Sequence, residues 1–388
     1  MIASTPPMGW NSWNTFGWNI SDALIREMAD AMADLGYRDR GYTYLVIDDC
    51  WSERQRDENG RLVPDRTKFP NGMKAVADYV HSKGLKFGMY SCAGVMTCAG
   101  YPSSFGHEYE DAATFASFGV DFLKYDFCNF PAGADCRTAY ITMSMALKAT
   151  GREILFSACN WGQQEPWRWM RSIGAHMYRS TGDIQDNFVS FRDILRSQLG
   201  NFCMSGSGCF NDIDMLTVGM YGRGNVAVGD QCTDSDYRTQ FSLWAFFGVP
   251  LMLGGDLRHM NDFCRELTQN RDLIRINQDP ECRPPYQVYC GRPQFGSGNW
   301  WEVPGDSALA FIRHLSGNEF AVGLFNLSDV DGQITFPFAN AGIPWQSGYA
   351  LALRDVFTGE KLGVCRDYLT PEVKAHDSRI FIGRIEKI

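Results

Sequence analysis

Along the first two-thirds of the chain, apolar and polar positions repeat one unit. A short apolar run ends in a cluster of polar residues, and a loop and a segment of helical periodicity follow. In the first such segment Leu24, Ile25, Met28, Met32 and Leu35 recur at spacings of three and four, which puts them on one helix face. The pattern predicts helices over Asp22–Leu35, Met73–Ser82, Tyr109–Phe118, Thr138–Ala149, Asn187–Leu199 and Ser235–Phe246. It predicts strands over Pro7–Trp13, Tyr42–Asp48, Lys86–Ser91, Val120–Asp126, Ile154–Asn160, His176–Thr181, Phe202–Phe210 and Val249–Gly254. Nearly continuous apolar strands alternating with helices imply a parallel sheet covered by helices. Eight units in roughly 270 residues fit a closed barrel. A doubly wound sheet has less support, because no G-x-G-x-x-G follows the first strand.

After Pro284-Pro285 the rhythm changes. Trp300–Val303, Leu309–Arg313, Glu319–Phe325, Gln333–Phe338, Tyr349–Val356 and Ser378–Ile382 are short strands divided by Gly, Asn, Asp and Pro, as in an antiparallel sandwich. The expected class is α/β: a (β/α)8 TIM barrel over residues 1–283, followed by a C-terminal antiparallel β-sandwich over residues 284–388. A length of 388 residues exceeds one typical core and agrees with this division.

Charge and composition narrow the partners. The net charge is −9 with no basic run, so neither nucleic acid nor an anionic membrane surface is an expected partner. No apolar stretch reaches the ~18 residues that a membrane helix needs. The longest apolar run, Leu243 to Leu253, is broken by Gly248 and Pro250 and reads as buried core. The 13 cysteines include no C-x-x-C and the six histidines no H-x-x-x-H, so neither a metal site nor a cofactor is expected. Many cysteines without a visible signal peptide point to a reducing cytoplasm. Aromatics at 14% read first as core and second as surfaces for sugar rings.

In a barrel of this kind the C-terminal strand ends converge on one face and build the active site. Those ends carry Trp10 and Trp13, Asp48, Asp49 and Trp51, Tyr90, Lys124 and Asp126, Asn160 and Trp161, Arg179 and Asp183, Asp212 and Asp214, and Asp256. With no histidine among them, a serine or cysteine nucleophile lacks its usual base. Paired carboxylates beside aromatics are the equipment of glycoside hydrolysis. Asp212 and Asp256 read more readily as turn or cap residues. Asp48 and Asp49 are adjacent like charges and need donors. Lys124 and Asp126, two apart, share a strand face. That pair reads equally as a structural ion pair and as a nucleophile held ionised.

Seven segments, in order, resemble one family. They are Pro6-Pro7-Met8-Gly9-Trp10-Asn11-Ser12-Trp13, Ile47-Asp48-Asp49-Cys50-Trp51, Phe69-Pro70-Asn71-Gly72, Leu123-Lys124-Tyr125-Asp126, Arg179-Ser180-Thr181-Gly182-Asp183-Ile184, Asn211-Asp212-Ile213-Asp214-Met215-Leu216 and Ile276-Asn277-Gln278-Asp279. The chain resembles the α-galactosidase and α-N-acetylgalactosaminidase family, glycoside hydrolase family 27. The resemblance implies Asp126 as nucleophile and Asp183 as acid/base. It implies that Asp48 and Asp49 hold the hydroxyls at carbons 4 and 6, with Lys124 and Asp214 as further hydroxyl ligands. Arg179 and Asn160 fall near carbon 2, and Trp13, Tyr90 and Met215 match the pocket walls. Cys98 and Cys128 match a disulfide beside the pocket. The chain departs from the family pattern in having Cys92 in place of an Asp and Asn160 in place of a Glu, and Cys50 lacks its usual partner near Phe16–Trp18.

The expected activity is therefore a retaining, exo-acting hydrolase of terminal α-linked galactose, acting on an oligosaccharide or glycoconjugate. An α-N-acetylgalactosaminidase and a β-L-arabinopyranosidase are the alternatives on the same scaffold. From other classes, a carbohydrate-binding barrel without catalysis is disfavoured by the presence of both Asp126 and Asp183, and a metal-dependent hydrolase by the lack of histidine ligands. A homo-oligomer is compatible with all of these readings.

Overall fold

The computed structural model describes residues 2–294 and 302–388. Eight short parallel strands form the first sheet: β1 (Met8–Asn11), β2 (Tyr44–Val46), β3 (Lys86–Cys92), β4 (Phe122–Asp126), β5 (Leu155–Cys159), β6 (Met177–Arg179), β7 (Phe210–Asp212) and β8 (Leu251–Leu253). Their order is 7-6-5-4-3-2-1-8. The ring closes through Leu216, just past β7. Its N–H donates to Met252 O at 2.8 Å, and Gly254 N–H donates back to Leu216 O at 2.9 Å. Around the strands lie α1 (Trp13–Phe16), α2 (Asp22–Asp34), α3 (Gly72–Ser82), α4 (Glu108–Phe118), α5 (Cys136–Ala149), α6 (Met170–Ile173), α7 (Phe188–Gln198), α8 (Asp234–Phe247), α9 (Asp262–Thr268) and α10 (Arg271–Asn277).

Alternation along the strands sorts residues into two layers. Tyr44 and Val46 join Phe122, Leu155, Met177 and Met252 in the barrel interior. Leu45 joins the layer containing Ile25, Met28 and Met32 of α2. The same parity decides the chemistry of β4. Leu123 and Tyr125 go to the helix layer, which leaves Phe122, Lys124 and Asp126 facing inward.

A second sheet is antiparallel, with β9 (Tyr286–Gly291), β10 (Ala308–Leu315), β11 (Glu319–Asn326), β14 (Tyr349–Asp355), β15 (Lys361–Cys365) and β18 (Ser378–Lys387) in the order 15-14-18-11-10-9. Two small ribbons complete the sandwich, pairing β12 (Gly332–Gln333) with β17 (Glu372–Val373) and β13 (Phe336–Pro337) with β16 (Tyr368–Leu369). Between the sheets lies a core of its own, including Ile312, Val322, Leu324, Phe336, Leu353 and Phe381.

Several expected elements differ. The first strand stops at Asn11, and Trp13 opens a short helix instead. The seventh strand is displaced: Phe202–Met204 is a helical turn, Gly206 and Cys209 pair across a tight turn, and β7 begins only at Phe210. The stretch is rich in Gly and Ser, which favour turns over strand. The short helices α9 and α10 and the strands β9 and β15 lack a predicted counterpart. The strand expected over residues 300–303 lies largely outside the described residues.

Candidate active site

Barrel closure brings the polar strand ends to one cavity of about 480 Å3, measured to its open mouth. Its lining includes Trp13, Asp48, Asp49, Tyr90, Lys124, Asp126, Arg179, Asp183, Asp214 and Met215, from strand ends and the loops that follow them, far apart in sequence. Asp126 sits at the bottom, only 5% exposed. Its carboxylate accepts from Tyr90 O–H at 3.1 Å and from Phe127 N–H at 2.9 Å, which fixes its orientation. Burial raises the proton affinity of Asp126, and Lys124 and the Phe127 amide oppose that rise.

Of the two readings of Lys124 and Asp126, the structural ion pair is not made. Lys124 Nζ instead bonds Asp48 Oδ2 at 2.9 Å and lies 5.3 Å from the Tyr90 ring centre. The adjacent Asp48 and Asp49 both turn into the cavity because β2 ends at Val46, before either of them. Each finds donors. Asp48 accepts from Asn11 Nδ2 at 2.7 Å, Lys124 and Asp49 N–H at 2.9 Å. Asp49 accepts from Cys50 N–H at 2.7 Å and Ala99 N–H at 3.0 Å. Burial nonetheless lifts Asp49 above the usual carboxylate range.

On the opposite side, Arg179 is 3% exposed and shared by two carboxylates. Its Nη2 reaches Asp183 Oδ1 at 2.8 Å and Asp214 Oδ2 at 2.6 Å. Asp183 stands at the rim with its side chain 75% exposed. Crowding at the rim pushes its pKa up, but Arg179 and then Lys124 outweigh this and hold it below the usual range. Asp214 lies deep, and burial lifts it to about 6 despite Arg179, with Asp183 and Asp212 adding repulsion. Its backbone is left-handed, at φ 85°. That costly conformation is held from four directions. Asp214 N–H donates to Asp212 Oδ1, its carboxylate accepts from Ile184 and Met215 N–H, and its carbonyl accepts from Trp244 Nε1.

Two model matches and three relatives bear on this arrangement. Residues 5–279 match the family model described as alpha galactosidase A, and residues 306–382 match the alpha galactosidase C-terminal beta sandwich domain. An alpha-galactosidase of Cyamopsis tetragonoloba is 40% identical over 98% of this chain and 86% of its own length. The chain belongs to the α-galactosidase family of glycoside hydrolases. The crystal structure of alpha-galactosidase I from Mortierella vinacea is similar at TM-score 0.89, with 32% identity, covering 98% of this chain and 97% of that one. An α-galactosidase from Saccharomyces cerevisiae, solved with raffinose, has TM-score 0.89 and 29% identity over 99% of this chain and 98% of that one.

As an α-galactosidase family member the chain carries an enzyme's constellation: Asp126 and Asp183 on one cavity, with further acids, Lys124 and Arg179 around them. Asn160 does not join it. That residue is fully buried, and its Nδ2 is turned onto Gln163 O within the loop after β5. Cys98 and Cys128 form a disulfide with Cα atoms 5.0 Å apart, and Cys98 Sγ lies 3.7 Å from Asp126 Oδ2. Where Cys98, Cys128 and Asp126 cluster, the sulfurs are thus bonded to each other rather than arranged as separate metal ligands. The other eleven cysteines are free. Cys92 pairs in register with Asp126, and its thiol is pushed well up by burial. Asn14 and Val226 also line the cavity and carry no signal in the sequence, and Ile184, within a resembling segment, carries no assigned role. They sit in loops and in α1, where no periodicity marks a side chain as inward. Asp256, as expected of a turn residue, caps a helical turn by accepting from Arg258 N–H.

Proposed function

We propose that this α-galactosidase family enzyme removes terminal α-linked galactose with retention, by a double displacement through Asp126 and Asp183. The observation that carries this is the division of the two carboxylates on one cavity: Asp126 immobilised at the bottom, Asp183 exposed at the rim. A nucleophile must be held still under the sugar, and an acid/base must meet the leaving oxygen and later a water. Asp126 attacks carbon 1 while Asp183 protonates the departing oxygen. Asp183 then takes a proton from the water that releases galactose.

Free-state acidity runs the other way, with Asp126 raised and Asp183 lowered. Position outweighs it. A bound sugar covers the rim and strips water from Asp183, which favours the protonated form. Asp48, Asp49, Lys124 and Asp214 receive the ring hydroxyls, Arg179 binds near carbon 2, and Trp13, Tyr90 and Met215 form the walls. The Asp48–Asp49 pair suits a sugar with a carbon-6 hydroxymethyl, so galactose is preferred over L-arabinopyranose.

The test is the first product and the sugar ranking. Proton NMR during hydrolysis of nitrophenyl α-galactoside should show α-galactose first; β-galactose first would overturn retention. Nitrophenyl α-galactoside should outpace the α-N-acetylgalactosaminide and the β-L-arabinopyranoside, and the reverse order would overturn the substrate.

A further inference from the structure

One nitrogen of Arg179 has more acceptors than hydrogens. Nη2 carries two hydrogens, and three oxygens stand close to it: Asp214 Oδ2 at 2.6 Å, Gly182 O at 2.7 Å and Asp183 Oδ1 at 2.8 Å. The rest of the guanidinium is engaged elsewhere, with Nε donating to Thr181 Oγ1 at 3.2 Å and Nη1 4.0 Å from Cys159 Sγ. Asp183 and Asp214 therefore compete for Nη2, and what one gains the other loses.

The two competitors are held differently. Asp214 is deep and anchored by the backbone, its Oδ1 accepting from Met215 N–H and its Oδ2 from Ile184 N–H, both at 2.7 Å. Asp183 stands at the rim, where water reaches it. The other charged groups around Asp183 are tied to partners of their own. Lys124 bonds Asp48, and Asp126 accepts from Tyr90 O–H and Phe127 N–H. Asp193 of α7, on the open groove beyond Asp183, pairs with Arg192 at 3.1 Å. The Cys159 thiol on the β5 side is kept neutral by burial. Asp214 is thus the group that sets how much of Arg179 is left for Asp183.

A general acid must hold its proton until the leaving oxygen takes it, and a guanidinium beside it works against that. An ionised Asp214 opposes the guanidinium twice. It draws on the shared nitrogen, and its own negative charge disfavours a second one on Asp183.

We propose that Asp214 is a positioning residue for the acid/base: ionised and anchored, it takes up the shared nitrogen of Arg179 and so lets Asp183 carry the proton it delivers. The proposal rests on the reading of Asp183 as acid/base at the pocket rim.

The experiment compares wild type, Asp214→Asn and Asp183→Ala on two substrates. An α-1,6-galactosyl disaccharide needs its leaving oxygen protonated, and dinitrophenyl α-galactoside does not. Both present the same sugar, so the disaccharide-to-aryl ratio of kcat/KM separates proton delivery from sugar binding. Above neutral pH, Asp214→Asn should lower that ratio about threefold to tenfold, since a neighbouring charge moves a carboxylate by about one pH unit or more. The ratio should return to that of wild type as pH falls below about 6, where Asp214 itself takes up a proton. An unchanged ratio, or a loss equal at every pH as a structural defect would give, overturns the proposal. A ratio unchanged in Asp183→Ala would show instead that Asp183 is not the acid. The coupling is also read without turnover, by 13C NMR titration of labelled aspartate. The Asp214 midpoint should lie about one unit lower in Asp183→Asn than in wild type, because the rival charge on Arg179 is gone and coupling is reciprocal. An unmoved midpoint overturns the proposal, even where Asp214→Asn does not fold or no galactoside is cleaved.

Discussion

Asp126 and Asp183 are chemically identical side chains in different surroundings, and the roles proposed for them predict different losses. If Asp126 is the nucleophile, Asp126→Ala should lose turnover on every galactoside. Asp183→Ala should lose about 10²–10⁴-fold on oligosaccharides, the usual worth of a general acid, and much less on aryl galactosides whose leaving group needs little protonation. Azide should restore Asp183→Ala and give the retained α-azide, because it intercepts a glycosyl-enzyme. Rescue of Asp126→Ala with a retained azide would exchange the roles. A pH profile adds an independent check. Wild-type kcat/KM should be bell-shaped, since the reactive form needs Asp126 ionised and Asp183 protonated. In Asp183→Ala, measured on an activated aryl galactoside, only the ionisation of Asp126 remains. The rate should climb with pH to a plateau, and persistence of the alkaline limb would show that another group supplies the proton.

At the scale of elements, the sheet carries a pH-sensitive seam away from the chemistry. His176 precedes β6, and its Nδ1 accepts from Phe156 N–H of β5 at 2.9 Å. That bond needs an unprotonated Nδ1. Burial, with a smaller contribution from Lys148, lowers the pKa of His176 to about 4. The folded state therefore binds this proton more weakly than the unfolded state. The associated stability is complete above the unfolded value of 6.5 and drains away as pH falls towards about 4. Its full size is at most roughly 3 kcal/mol, from 1.36 kcal/mol per unit. Chemical denaturation of wild type between pH 7 and 4 should show this slope, and His176→Gln should flatten it. Equal slopes in the two proteins would rule out His176 as the source.

Across the whole molecule, one buried cation ties the sandwich to the barrel. Arg313 of β10 is 2% exposed and donates to Ala245 O and Phe246 O in the last turn of α8. Those carbonyls are at the negative end of the helix, where a cation is favoured. The fit is tight, since a Cβ on Gly248 would meet the guanidinium at 2.9 Å. Around it Phe246, Phe247, Phe311 and Phe325 form an aromatic cluster shared by α8 and the second sheet. Arg313→Ala leaves two buried carbonyls without donors and should cost about 2–4 kcal/mol. Differential scanning calorimetry should show the melting temperature lowered by several degrees, with nitrophenyl-galactoside turnover at 25 °C retained. An unchanged melting temperature would rule out Arg313 as a tie between the two.

What the sequence determined by itself follows from periodicity and local chemistry. The three-and-four spacing of α2, the apolar strands and the change of texture after Pro284 need only neighbours along the chain, so barrel and sandwich were legible. So were the carboxylates at strand ends, because polar residues closing an apolar strand stand out in one dimension. Tertiary structure decided which of them meet. Parity sent Lys124 inward, but only the approach of β2 to β4 gave it Asp48 as partner instead of Asp126. Only closure put Arg179 within reach of the distant Asp214 as well as of Asp183. An open groove beside Asp183 is likewise made by a β5 loop and α7 that no local pattern connects. Ion pairs, cavity walls and shared donors depend on distances between segments 20 to 80 residues apart, and the hydrophobic pattern encodes only which face a residue shows, not what it will face.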